Sequence, residues 1–198
     1  MNFDAWLHYL RARLLRAIKR PDAALTAYRD ALNADTGFAR AAHALAYLLA
    51  ALERNTEAEA AFRRVVELAP RNSTAWFNLG FLYEKSHNTS EAIDAFREAV
   101  RLNPKFDRAW YGLGLALASQ GDHTGAAQSF ERTVQLQPIN PHAWYQLGMA
   151  WHTLHDQDKV KGVIEHLHRF DRHMAHRLIK DAGRTDLAHM IADLRHVR

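Results

Sequence analysis

The chain has no cysteine among its 198 residues. That excludes a disulfide framework, a thiolate zinc site and a cysteine nucleophile, and it fits the reducing cytoplasm in which the protein is expected to act. Long apolar runs are missing as well, since no stretch approaches the roughly 20 residues needed to cross a bilayer. Neither sign of charge dominates: 26 basic and 22 acidic residues leave a formal +4, and so modest and dispersed an excess does not by itself indicate nucleic acid. With 48% of its residues hydrophobic, the chain suits one soluble domain or one extended repeat array. The opening MNFDAWLHYLRARLLRAIKR is Arg-rich and amphipathic, with Phe3, Leu7, Leu10 and Leu14 on one helical face. It lacks the uninterrupted apolar segment and small-residue cleavage site of a secretory signal. It is also in register with everything behind it, so it is expected to be mature protein.

Glycine is scarce, at nine residues, yet three fall in WYGLGLALASQG, residues 110–121. A dinucleotide fingerprint needs a further Gly or Ala three residues after the second glycine, behind a strand, so that backbone amides and a helix N-terminus meet a pyrophosphate. Here Leu117 holds that slot and no strand-like alternation leads into it. The segment reads as Leu/Ala-rich helix, in which glycine is costly. No P-loop, nucleophile elbow or Ser/His/Asp motif occurs elsewhere, and the chain is expected to be non-catalytic and free of cofactors.

What is abundant is repetition. Trp76, Trp110 and Trp144 are 34 apart, and so are Leu79, Leu113 and Leu147; Gly80, Gly114 and Gly148; Ala58, Ala92 and Ala126; Phe62, Phe96 and Phe130; and Pro70, Pro104 and Pro138. A fixed period in the range of about 20–50 residues decides the architecture before any local assignment. Carried outward, it gives five contiguous units: 5–38, 39–72, 73–106, 107–140 and 141–174. Each unit splits into two helical stretches with apolar residues at i, i+3, i+4 and i+7, for example Trp76, Leu79, Gly80 and Tyr83, then Ala92, Phe96 and Ala99. Asp4, Asn55-Thr56, Asn88-Thr89 and Asp122 are candidate caps. Asn140-Pro141 marks a helix start, and Pro70, Pro104 and Pro138 mark the ends of second helices.

The order of Trp, Leu-Gly, Tyr, Ala, Phe, Ala and Pro in STAWFNLGFLYEKSHNTSEAIDAFREAVRLNPKF resembles the tetratricopeptide repeat. The resemblance covers about residues 5–174. It weakens in the first unit, where His8 takes the Trp slot and Arg11-Ala12 the Leu-Gly slot. It weakens again in the fifth, where Val160, Ile164 and Leu167 replace Ala, Phe and Ala. It implies an all-α, right-handed superhelical solenoid of antiparallel helix pairs: five repeats within residues 1–174, then capping helices over 175–198. The second of these caps, TDLAHMIADLRHVR, carries Leu187, Met190, Ile191 and Leu194 on one face with Thr185 at its start. A detachable tail that occupies the groove is the alternative.

The resemblance further implies that the first helices of the units line a concave groove for an extended or helical peptide, which would make the chain a scaffold or adaptor. Its candidate groove residues here are Tyr9, Arg13, Arg40, His43, Tyr47, Phe77, Asn78, Phe81, Arg108, Tyr111, Gly112, Leu115, His142, Tyr145, Gln146 and Met149, with Arg16, Glu84, Lys85 and His152 at further inward positions. Aromatic rings and Lys/Arg dominate this set, and Glu84 is its one acidic member. A protein partner that is apolar or aromatic with some acidic character suits it, with rings for contact area and arginine for carboxylates. An ordinary alternative is that each ring packs against a neighbouring repeat. Self-association is also open. The carboxylate clamp of heat-shock co-chaperones is matched only at Asn78 and Arg108; His43, Tyr47 and Gly112 depart from it, which disfavours that role.

Two other classes compete. Nine of the 13 histidines fall between His142 and His196, with pairs at His152/His155, His166/His168 and His173/His176. Histidines spaced i, i+3 on a helix can converge on zinc, with Asp156 or Asp171 as further ligands, although none sits in an HExxH motif and a metal site is not expected. Aromatics interleaved with arginines can also stack and neutralise a single nucleic-acid strand.

Overall fold

The computed structural model describes residues 2–187 and Met190. Eleven α-helices occupy these residues, with no β-strand among them. The chain divides into two compact units, 1–104 and 105–198. The first holds α1 (Phe3–Ala17), α2 (Pro21–Ala34), α3 (Ala39–Ala51), α4 (Asn55–Leu68), α5 (Ser73–Lys85) and α6 (Thr89–Leu102). The second holds α7 (Asp107–Gln120), α8 (His123–Leu136), α9 (Pro141–Thr153), α10 (Gln157–Phe170) and α11 (Arg172–Asp181). Within each unit successive helices pack on one another as antiparallel pairs. The predicted helix over 185–198 lies for the most part outside the described residues; Thr185, Asp186 and Leu187 form a single 3₁₀ turn.

The ladders read from the sequence are contacts within these pairs. The small-residue slot (Ala12, Ala46, Gly80, Gly114) faces the aromatic slot of the second helix (Tyr28, Phe62, Phe96, Phe130), and all four rings are fully buried. A Cβ placed on Gly80 would lie 2.9 Å from the Phe96 ring, and one on Gly114 would lie 2.6 Å from Phe130. Glycine is needed here for close approach, not for a turn. Gly148 meets no aromatic, because Ile164 holds that slot. A Cβ on Gly148 would instead run into Leu178 of α11, with Val163 at 3.2 Å. The fifth unit's departure from the repeat pattern is thus compensated by a leucine from outside the repeat.

The Trp and Pro ladders meet at two rungs, one in each unit. Trp76 Nε1 donates to the Pro70 carbonyl at 2.9 Å, and Trp144 Nε1 donates to the Pro138 carbonyl at 2.8 Å. Each bond ties the start of a first helix to the end of the preceding second helix. Where the tryptophan is absent, at Ala42, the proline six residues earlier is absent too, at Thr36.

Capping matches the sequence reading only in part. Asp122 and Asn140 accept from Gly125 N and Ala143 N as expected, with Pro141 in the first turn. Asp4 is not the cap of α1: its amide is the group capped, by Asn2 Oδ1 at 3.0 Å. Asn55 and Thr56 lie inside α4 behind Arg54, which makes no side-chain cap. Asn88 stands at the cap position of α6, but its amide donates to Ser86 Oγ. Asn72, Asp156 and Asp171 cap α5, α10 and α11. Because Asp171 starts α11 at Arg172, that helix crosses the boundary expected at residue 174.

The turn between the helices of every pair uses one left-handed residue at a fixed offset: Lys19, Glu53, His87, Gly121 and His155, with φ from 56° to 90°. Only one of the five is glycine, although this conformation costs an ordinary residue about 1 kcal/mol or more. Gly121→Ala is therefore expected to lower stability by about 1 kcal/mol, and Glu53→Gly to leave it unchanged or raise it by up to about 1 kcal/mol. Paired thermal melts at one pH check both signs.

Candidate functional site

In the first unit, α1 and α3 present successive first-helix faces, with α2 behind them. Together they enclose an open cleft of about 690 Å³ lined by Tyr9, Arg13 and Arg16 of α1, Tyr28 of α2, Ala39, Arg40, His43, Ala44 and Tyr47 of α3, and Ala69 and Asn72. Five of the candidate groove residues meet in it: Tyr9, Arg13, Arg40, His43 and Tyr47. The lining holds three arginines and no carboxylate. Among the described residues none of the three arginines forms an ion pair; Arg13 lies over the Tyr9 ring at 6.0 Å and Arg40 over Trp6 at 5.8 Å.

Two of the residues that line the cleft carry a buried polar atom without a hydrogen-bond partner, Tyr28 at its OH and His43 at its Nε2. Burial pushes the Tyr28 phenol up, while the positive charges of Arg16 and Arg13 pull it back. Burial also holds the His43 imidazole below its ordinary value. Unpartnered buried polar atoms are uncommon and costly, and two in one cleft mark it as a place where a polar ligand gains hydrogen bonds. Sequence reasoning missed Tyr28. The signal for it was there, because the aromatic slot is Phe at 62, 96 and 130 but Tyr at 28, and the added hydroxyl is the orphan.

The remaining candidates in the first unit divide by exposure. Phe81 is 50% exposed and Tyr47 41%, both unusually open for large rings, whereas Phe77 is only 8% exposed. Phe77 packs against Phe96 at 5.9 Å, so it belongs to the core more than to a groove. Asn78 is half-buried, with its Nδ2 unpartnered, and burial pushes the Glu84 carboxyl up.

In the second unit the candidates do not converge on one site. Arg108 and His142 are exposed, Tyr111 and Leu115 are half-buried, and Gly112 is buried, so this candidate groove position is not an open surface. Tyr111 lies 5.8 Å from Phe130. Gln146 and Met149 line a small cleft of about 140 Å³ with Phe130 and His123. Tyr145 is occupied: its hydroxyl donates to Asp181 Oδ2 at 2.7 Å, and the Arg177 guanidinium stacks over its ring at 4.7 Å. Both partners come from α11, which covers the α9 face that the sequence reading left to a ligand. For this ring the ordinary alternative, packing against the next element, holds.

The histidine pairs are spread over separate roles. His166 stacks on Trp144 at 4.0 Å, and His155 holds a left-handed turn. Among the described residues no group of three or more metal-ligating side chains comes together, and no helix among them is long and apolar enough to cross a membrane.

Small-to-aromatic pairing, a Trp-to-Pro tie and short left-handed turns, repeated at 34 residues, define a helix-pair repeat protein. Family models described as tetratricopeptide repeat match residues 37–105 and 82–141. The chain belongs to the tetratricopeptide-repeat family. No curated protein matches it. Among solved structures it is similar to YrrB, described as a TPR protein with an unusual peptide-binding site, at 23% identity and a TM-score of 0.79, covering 89% of this chain and 92% of that one. It is also similar to MamA from Desulfovibrio magneticus RS-1 at 20% identity and a TM-score of 0.73, covering 91% and 98%. Pseudomonas aeruginosa PilF, at 20% identity and a TM-score of 0.71, covers 90% and 82%. At these identities the likeness is one of fold.

The half-buried His43 gives the first unit a pH dependence of known sign. Its proton is held more weakly in the folded than in the unfolded chain, so stability is full above the ordinary value of 6.5 and falls as pH drops through it towards the lowered folded value. The melting temperature is expected to fall between pH 8 and pH 5.5, and His43→Phe to fall by less over the same range in parallel calorimetric scans.

Proposed function

We propose that the chain is a non-catalytic scaffold or adaptor that captures an extended or helical segment of a partner protein on the first-helix faces of its repeats. The observation that carries the reading is the cleft of the first unit, in which Tyr9, Arg13, Arg40, His43 and Tyr47 share one lining. Membership of a repeat family whose members are in general interaction scaffolds supports it. So does the fold's likeness to YrrB, which is described as having a peptide-binding site.

Exposed rings such as Tyr47 and Phe81 offer large contact area with little rotamer entropy to lose. Arg13 and Arg40 set the polarity of a segment bound on the first unit. The partner is accordingly apolar or aromatic with acidic character. Packed helix pairs hold these side chains in place before binding, so little ordering is required of the receptor. The proposal keeps the cytoplasmic setting that a cysteine-free sequence fits.

Tyr47 and Phe81 test the reading better than Phe77 or Tyr111, because their exposure separates binding from folding. A partner identified by copurification and mass spectrometry, then titrated as a purified protein, is expected to bind the Tyr47→Ser/Phe81→Ser double variant at least about tenfold more weakly, with helicity and melting temperature unchanged. Undiminished binding by that variant would refute the proposal.

A further inference from the structure

The cleft of the first unit is specialised beyond what a general peptide surface requires. Its lining carries three positive charges and no negative one. None of the three guanidiniums is paired with a carboxylate among the described residues, although arginines elsewhere in the same unit do find partners: Arg29 and Arg54 with Glu57, Arg63 with Glu59, and Arg64 with Glu67. Arg11, Arg20 and Arg71 of the same unit also lack an ion pair among the described residues, so what sets the cleft apart is that three such guanidiniums share one lining without a carboxylate. Among its lining residues the fully buried Tyr28 has a hydroxyl with no partner, and the His43 Nε2 has none either. A hydroxyl enclosed in an apolar core with nothing to bond is a net cost to folding, one that phenylalanine avoids at the equivalent positions 62, 96 and 130.

We propose that this cleft is a receptor for consecutive acidic side chains of the partner segment, gripped by Arg13, Arg16 and Arg40 and hydrogen-bonded from beneath by the Tyr28 hydroxyl. Carboxylate fits each element. A guanidinium offers parallel N–H donors to the two oxygens of a carboxylate, and a phenol donates to an anionic oxygen more strongly than to a neutral one. Three guanidiniums call for more than one carboxylate, which a run of Asp or Glu supplies and a single chain terminus does not. Tyr9 and Tyr47 flank the arginines, so an aromatic residue beside the acidic ones has a surface to lie on. Loss of water when the segment covers the open cleft strengthens these bonds relative to those of an exposed pair. The inference rests on the scaffold reading and narrows it to a class of segment.

The test uses the full chain and an N-acetylated, C-amidated hexapeptide of four consecutive Glu with Trp at each end, followed by the arginine Nε–Hε signals in NMR and by calorimetric titration. The proposal expects shifts concentrated at Arg13, Arg16 and Arg40. It expects at least about tenfold weaker binding to Arg13→Gln/Arg16→Gln, and comparable weakening when the peptide's Glu residues become Gln. Tyr28→Phe separates a ligand-binding hydroxyl from a structural one: the variant is expected to bind the peptide more weakly while melting no lower than the parent. Shifts spread evenly over the surface arginines, unchanged affinity in the double variant, or binding seen only with a Gln–Trp peptide bearing a free terminal carboxylate would each overturn the proposal. Should the Tyr47→Ser/Phe81→Ser variant lose the natural partner while the hexapeptide ignores the cleft, the scaffold reading survives and this inference alone fails.

Discussion

Everything in this chain depends on how closely the two helices of each repeat can approach. That distance is set by one pairing, a residue with little or no side chain on the first helix against a ring or branched side chain on the second. Tyr28, Phe62, Phe96 and Phe130 are buried to within about a hundredth of their surface, and the glycines opposite Phe96 and Phe130 leave no room for even a methyl group without movement. A close-packed seam of this kind has few alternative arrangements. Each first helix is therefore fixed against its partner, and its opposite face is presented at a defined position. The Trp-to-Pro bond then ties the start of one first helix to the end of the preceding second helix.

The same seam shapes the functional surface. In the first unit the ring at the seam is a tyrosine that also lines the arginine-rich cleft, with its hydroxyl buried and unpartnered. One residue thus belongs both to the packing and to the proposed binding floor. At the other end of the chain the seam is completed differently: Gly148 is met by Leu178 rather than by a ring. The helix that brings Leu178 also brings Asp181 and Arg177 onto Tyr145. Terminal repeats depart from the pattern because one of their faces lacks a repeat neighbour, and here α11 supplies the missing contact.

The fold was legible in the sequence because a ladder at constant spacing is a statement about contacts. Gly80, Phe96, Trp76 and Pro70 each recur because each touches another member of the set. The helix starts were legible where Asp or Asn stands one position before the helix, as at Asp122 and Asn140. They were not legible at Asn55, where Arg54 holds the cap position without a side-chain cap. The site was legible as a list of positions and not as a place. Periodicity assigns Phe77 and Tyr47 to the same face, yet it cannot weigh burial, and one of them turns inward onto Phe96 while the other faces out. Nor could it foresee that α11 covers Tyr145, since the contact joins residues 36 apart outside the repeat.

Hydroxyl-radical footprinting of the chain with and without its copurified partner tests the central claim directly, because it reads the solvent exposure of individual side chains. Binding on the first-helix faces of the first unit predicts that oxidation of Tyr47 and Phe81 falls on complex formation, while the still more open Phe3 and Ile139 remain as reactive as in the free chain. Protection of Phe3 or Ile139 with Tyr47 and Phe81 still fully reactive would place the partner elsewhere and contradict the account.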